Sequence, residues 1–235
     1  MNIYINEKLV NRNAKLGRIA SIAGIIILAG GMYATIRYPE MVTVAWLALL
    51  VGFSLSQLGL YYGNRWGRKP RPDETLDQAL KGLDGRYSIY HYRTPIPHLL
   101  VGPTGIWVLS PFYQTGKIVY EKKRWRHKGG GFTQRYLRIF GQEGLGRPDL
   151  EIPADIENVR RYFKRRLNNE EIEIPPAKAV LVFTNENVEI ECGDAPYPTI
   201  TAKALKEMIR KIPKEEMLSA DTLKAILDAL PSNGK

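Results

Sequence analysis

Two uncharged apolar stretches near the start of the chain, about Ile19–Ile36 and about Met41–Tyr62, constrain the fold more than any other feature of the sequence. A bilayer core of ~30 Å is crossed by ~20 helical residues rising ~1.5 Å each, and both stretches approach that length. Inside lipid such a segment satisfies its backbone only as a helix. Arg37-Tyr38-Pro39-Glu40 is all that separates them, so the sequence predicts a helical hairpin with spans of about 19–37 and 41–62. Neither stretch carries a charged residue, which argues against an ion or proton path.

Lys8, Arg12, Lys15 and Arg18 precede the first span, and Arg65, Arg68, Lys69 and Arg71 follow the second. The turn has one Arg, balanced by Glu40. Short flanks of this kind obey the positive-inside rule, which puts both termini in the cytoplasm and the spans in an inner or plasma membrane. Tyr33, Tyr38, Trp46, Tyr61, Tyr62 and Trp66 fall near the expected interfaces. Ala20, Gly24, Gly30, Gly31, Gly52, Ser56 and Gly59 are small enough to let two helices approach closely. A secretory signal is a poorer fit, because no small-x-small cleavage site follows and a second span comes at once.

The remainder divides by composition. Residues 1–18 read as a basic cytoplasmic N-terminus, 63–72 as a basic linker, 73–230 as one globular domain large enough for a real core, and 231–235 as a tail. Cys192 is the single cysteine. An internal disulfide is therefore excluded, and the usage fits a reducing compartment. The chain carries a net +10, and residues 117–166 hold fourteen Lys/Arg against six Asp/Glu. That excess suits nucleic acid or anionic lipid headgroups.

Within 73–230 the pattern alternates. Asp73 opens a helix with Leu76, Ala79, Leu80 and Leu83 on one face. A strand is expected over Arg86–Arg93. Two short strands, His98–Val101 and Ile106–Leu109, follow, joined by the turn Gly102-Pro103-Thr104-Gly105. Both faces of this pair are apolar, so it belongs in the middle of a sheet. Lys117–Lys122 is expected as the third strand of the meander. A helix to Leu167 would bury Ile156, Val159, Phe163 and Leu167 and turn Arg160, Arg161, Lys164 and Arg165 outward. Ala179–Phe183 is a buried strand, and Thr201–Ile212 and Ser219–Leu230 are amphipathic helices. The order implies an α/β domain, a mixed sheet flanked by helices.

Three groups of residues are candidates for chemistry. Lys122, Lys123, Arg124, Trp125, Arg126, Lys128, Arg135 and Arg138 interleave cations with aromatic rings over a glycine-rich stretch expected to be a long loop or irregular hairpin. Such side chains contact phosphates and stack on bases, or lie on anionic lipid. His91, His98 and His127 are too scattered for a metal motif, and His98 on an apolar strand reads as a hydrogen-bonded core residue. Gly141–Gly146 lacks the Gly-Lys-Ser/Thr ending of a phosphate loop.

The stretch Ile96-Pro97-His98-Leu99-Leu100-Val101-Gly102-Pro103-Thr104-Gly105-Ile106-Trp107-Val108-Leu109 resembles the nuclease-related domain family, NERD. Gln114–Ile118, Arg147-Pro148-Asp149-Leu150-Glu151 and Val180–Asn185 resemble further family motifs in the right order. The resemblance implies a restriction-endonuclease-like fold and a site with an acid on the first helix, an Asp after the first long strand and Glu-x-Lys on the next. Carboxylates would hold Mg²⁺, which polarises phosphate and generates hydroxide. Here Glu74 matches the first acid, but the Asp position is Pro97 and Glu-x-Lys reads Ser110-Pro111-Phe112. The expectation is a catalytically inactive bacterial pseudoenzyme with no cofactor, which binds or scaffolds nucleic acid, anionic lipid or a partner membrane protein. The alternative is a tethered Mg²⁺-dependent nuclease or phosphodiesterase with acids relocated near Glu74, Glu143 and Glu151; Asp149 is a further acid beside them.

Overall fold

The computed structural model describes residues 1–128, 144–167 and 174–231, which divide into two compact units. In the described part of the helical unit, helix α1 (Glu7–Arg37) is followed by a 3-10 turn (Pro39–Met41), helix α2 (Val42–Tyr62) and a π-helical turn (Gly63–Gly67). Both helices are long and apolar enough to cross a membrane. At 31 residues, α1 is about 46 Å long, so it accommodates both the apolar stretch and the basic turns before it.

Most large apolar side chains of this unit point outward, Val10 and Trp66 excepted. Ile26 is 64% exposed, Met32 65%, Trp46 67% and Leu50 63%. What lies at the helix contact instead is a stripe of small residues repeating every seven positions, with Gly17 and Gly24 of α1 and Gly52 and Gly59 of α2 buried and Gly31 of α1 half-buried. A Cβ on Gly24 would lie 2.6 Å from Ser56 Oγ, and one on Gly59 would lie 2.7 Å from the backbone nitrogen of Ser21. Side chains are therefore excluded at these contacts. Gly30, also expected at the contact, faces open space. The hydroxyls of Thr35, Ser54 and Ser56 each donate to the carbonyl four residues back, at 2.8 Å. They need no water.

Residues 1–18 are not the separate basic segment that the sequence suggests. Asn2–Ile5 form strand β1, and α1 begins at Glu7. The expected linker 63–72 is also mostly helical turn, with helix α3 starting at Pro72. Alternation in a four-residue strand is too short to register in the sequence, and β1 exists because it pairs in parallel with strand β2 (Ser88–His91).

The α/β unit contains β1, α3 (Pro72–Ala79), β2, β3 (His98–Gly102), β4 (Gly105–Phe112), β5 (Gly116–Glu121), β6 (Arg124–Lys128), α4 (Pro148–Arg166), β7 (Lys178–Phe183), β8 (Val188–Glu191), β9 (Thr199–Thr201), α5 (Ala202–Arg210) and α6 (Ala220–Asp228). The main sheet has the order β1-β2-β3-β4-β7-β9. β2, β3 and β4 form an antiparallel meander, and β4, β7 and β9 run parallel. As the apolar pattern requires, β3 and β4 are interior. Their turn places Gly105 at φ +111°, where a side chain would be strained.

Strand alternation divides the apolar residues between two layers. Leu99, Val101, Ile106, Val108, Leu181 and Phe183 pack with Ile152, Val159 and Phe163 of α4 and Ile226 of α6. Ile89, Leu100, Trp107, Leu109, Val180 and Val182 pack with Leu76 of α3 and Leu205 and Ile209 of α5. The sheet is thus covered on both faces.

Lys117–Lys122 departs from expectation. It supplies β5, but β5 leaves the meander and forms a second sheet, β6-β5-β8. Of the two expectations for the stretch after it, the hairpin holds over its described start: Arg124–Lys128 is strand β6, antiparallel to β5. Lys122 and Lys123 turn the chain at φ 50° and 61°. Two-residue hairpins favour Asn-Gly at such positions, so Lys-Lys concealed the turn.

Candidate functional site

The positions where the family resemblance puts metal ligands do not meet. Ser110 and Phe112 share the face of Val108, and Phe112 stacks on Phe183 with ring centres 5.5 Å apart, in the layer of α4. Pro97 falls on that face by alternation with Leu99. Glu74 lies on α3, which packs on the opposite face. Of the relocated set, Glu74 on α3 is apart from the acids of α4. Glu151 is on α4, where its carboxylate accepts from the Arg147 backbone N–H at 3.1 Å, and Glu143 lies outside the described residues. Asp149 takes a two-pronged contact from the Arg147 guanidinium, at 2.7 and 3.1 Å. This hydrogen bond holds its carboxyl below the ordinary value. Among the described residues, no group of three or more His, Cys, Asp or Glu is placed to hold a metal ion.

On the α3 face the structure brings together residues that looked scattered. His91 ends β2, His98 begins β3, and the two are register partners. Their Nδ1 atoms are 2.8 Å apart, and His91 Nε2 lies 3.1 Å from Asp77 Oδ1 on α3. Both imidazoles are buried. A carboxylate only accepts, so His91 Nε2 carries a hydrogen. The short Nδ1–Nδ1 contact then holds a single hydrogen, since two would oppose each other. Asp77, His91 and His98 thus form one hydrogen-bond chain, which ties α3 to the β2–β3 hairpin. Reading Ile89/His91 and His98/Leu100 as alternating hairpin residues would have paired the histidines; no sequence signal pointed to Asp77.

The basic candidates separate into two sides of β6. Trp125 is 4% exposed and belongs to the core. Its indole N–H donates to Thr199 Oγ1 at 3.0 Å, and its ring packs edge-on against Tyr120. Trp125 is therefore spent on packing and presents no face for a base. Arg124, Arg126 and Lys128 lie on the outer side, opposite Glu121, Val119 and Lys117 of β5. β8 adds Glu189 and Glu191 to this surface. Lys128 pairs with Glu121, Lys117 with Glu191 at 2.5 Å, and Arg124 approaches Asp149 at 4.0 Å. Glu121 and Glu191 are each pulled below their ordinary pKa by the lysine that bonds them. The basic face is thus laced with acids, two of them some seventy residues away in sequence. Lys122 and Lys123 remain exposed at the hairpin tip. Arg135 and Arg138 lie outside the described residues.

Cys192 is half-buried, and its Sγ lies 3.6 Å from the Ile118 carbonyl. Burial pushes the thiol up to about 11, which disfavours a thiolate nucleophile.

Comparison with known proteins finds no matching family model, no matching curated protein and no matching solved structure.

Proposed function

We propose that this protein is a membrane-anchored, cytoplasmic α/β domain that binds or scaffolds and does not hydrolyse. The observation that carries the anchor is the outward-facing apolar surface of two helices long enough to span a bilayer. In water such a surface would be an aggregation liability; in lipid it is solvated. Chain connectivity supports the sidedness. Strand β1 is bound into the α/β sheet before α1 begins, and α3 rejoins that unit directly after the hairpin. Two crossings therefore start and finish on one side, and the flanking Lys and Arg assign that side to the cytoplasm of an inner or plasma membrane.

The NERD resemblance is part of the same proposal. What supports it is a helix followed by a three-stranded antiparallel meander, then a helix and a strand parallel to the last of the three, with helices on both faces. The Pro97, Ser110 and Phe112 substitutions and the separation of Glu74 from them favour binding over Mg²⁺-dependent cleavage.

Alkaline carbonate should leave the full chain in the membrane pellet, and detergent should release it. Protease added to sealed inside-out vesicles should digest the α/β unit, while right-side-out vesicles protect it. Protection in the reverse sense, or release by carbonate, would refute the anchor. DNA cleavage with Mg²⁺ by the detergent-solubilised full chain, lost on Glu74→Ala, would refute the non-hydrolytic role.

A further inference from the structure

We infer that the C-terminal half of α4 forms a binding site for a phosphate monoester group. The residues Asn158, Arg161, Tyr162, Arg165 and Arg166 share one helical face by their spacing. With Pro95 of the β2–β3 loop they line a cavity of about 350 Å³. That size suits a small phosphorylated molecule or a single headgroup, and it is too small to take in a duplex.

The chemistry of the lining is one-sided. Three guanidiniums supply only donors. Asn158 uses its side-chain oxygen to accept from Arg161 at 2.8 Å, which leaves its amide N–H groups to donate. Among the described residues, no carboxylate lines the cavity. Glu157 is close by, but it is shared between Arg160 at 3.3 Å and Arg161 at 3.8 Å. Arg165 has no hydrogen-bond or ion-pair partner among the described residues. The Tyr162 hydroxyl is buried and has no hydrogen-bond partner among them either.

Part of the site is already set. Arg166 donates to the Ala229 carbonyl at 3.0 Å, and its guanidinium lies 4.4 Å from the centre of the Tyr162 ring. Arginines in a last helical turn offset the helix dipole, but that role does not call for Arg161, a full turn earlier, above Arg165. Like charges four residues apart oppose helix formation. Their convergence on a cavity that has three guanidiniums and, among the described residues, no carboxylate is compensated by an acceptor-only ligand of high charge, and guanidiniums match phosphate oxygens in pairs.

The site lies wholly within the α/β unit and does not depend on the membrane reading, so failure of the anchor and failure of this site are separate results. The test uses the full chain in phosphatidylcholine nanodiscs, titrated with inorganic phosphate by calorimetry at constant ionic strength. The expected result is saturable binding, weakened about tenfold by Arg165→Gln through loss of one charge-assisted contact. Lys164→Gln, which removes the same charge from outside the cavity, should leave it unchanged. Both positions are exposed, so both variants should fold. Discs containing phosphatidic acid, against discs of equal charge containing phosphatidylserine, then identify the source. Loss of phosphate binding in the phosphatidic acid discs alone assigns a lipid monoester headgroup. Equal binding in both assigns a soluble phosphorylated molecule. No saturable binding, or equal weakening by the two substitutions, would overturn the site.

Discussion

The helical unit and the α/β unit solve opposite problems with the same residue types. In the α/β unit Leu, Ile, Val and Phe fill two layers around a sheet, and Phe163, Leu100 and Val180 are fully buried. In the helical unit Ile, Leu and Met face outward, and glycine occupies the contact. The difference teaches that hydrophobicity alone does not define an interior. In water, apolar area drives side chains together. In lipid that drive is absent, and close backbone approach holds helices instead.

The sharpest way to break this comparison is truncation in each unit. Phe163→Ala should cost about 3–5 kcal/mol of stability by leaving a cavity, measured by denaturant unfolding in detergent. Ile26→Ala, at a 64% exposed position, should shift the same curve by less than about 0.5 kcal/mol. Equal costs would mean that the hairpin packs as a water-soluble core.

A charge sharpens it next. Leu50→Lys should disfavour membrane insertion by about 2.5–3.5 kcal/mol, read as the inserted fraction in a translocation assay. Leu150→Lys, on the exposed surface of α4, should be close to neutral by thermal melting.

Within the α/β unit the Asp77–His91–His98 chain should show the cost of a broken polar network. His91→Leu leaves the buried His98 without its imidazole partner and should lose about 1–3 kcal/mol. His91→Leu combined with His98→Leu should lose less than the sum of the two single changes. Additivity in that double-mutant cycle would dissolve the chain into independent contacts.

Smaller again is the hairpin tip. Replacing Lys122-Lys123 by Asn-Gly should stabilise the protein by about 1–2 kcal/mol, because both lysines occupy left-handed backbone. No gain in melting temperature would mean that this strain is absent.

The smallest effect is at Cys192, whose thiol burial raises from 9.0 to about 11. Folding favours the protonated form, so its contribution is complete below pH 9 and is lost as pH rises through 11. At neutral pH iodoacetamide should label the folded chain far more slowly than the unfolded one. Equal rates would place the thiol in solvent.

Much of this arrangement is legible residue by residue. The spans follow from uncharged length, and the apolar run around Gly102-Pro103-Thr104-Gly105 foretells a central hairpin. The buried stripe of α4 follows from its period. Other parts are hidden for definite reasons. The basic run at 122–128 conceals a strand because Arg124, Arg126 and Lys128 alternate with only two inward residues, Trp125 and His127. Its charge excess overstates the surface, because Glu189 and Glu191 arrive from β8. The seven-residue glycine spacing was present in the sequence and gives the hairpin contact more selectively than small-residue content, which also picks out Gly30.

By itself the sequence determines the two apolar helices and the positions of most strands and helices. These depend on periodicity and side-chain chemistry, which act over a few residues. Tertiary structure alone decides that β1 closes the sheet edge, that β5 leaves the meander, that Asp77 meets His91, and that the guanidiniums of α4 converge with Pro95 on a cavity. Each of these joins segments distant in sequence. Their pairing is set by the balance of burial against chain entropy over the whole unit, which no local pattern records.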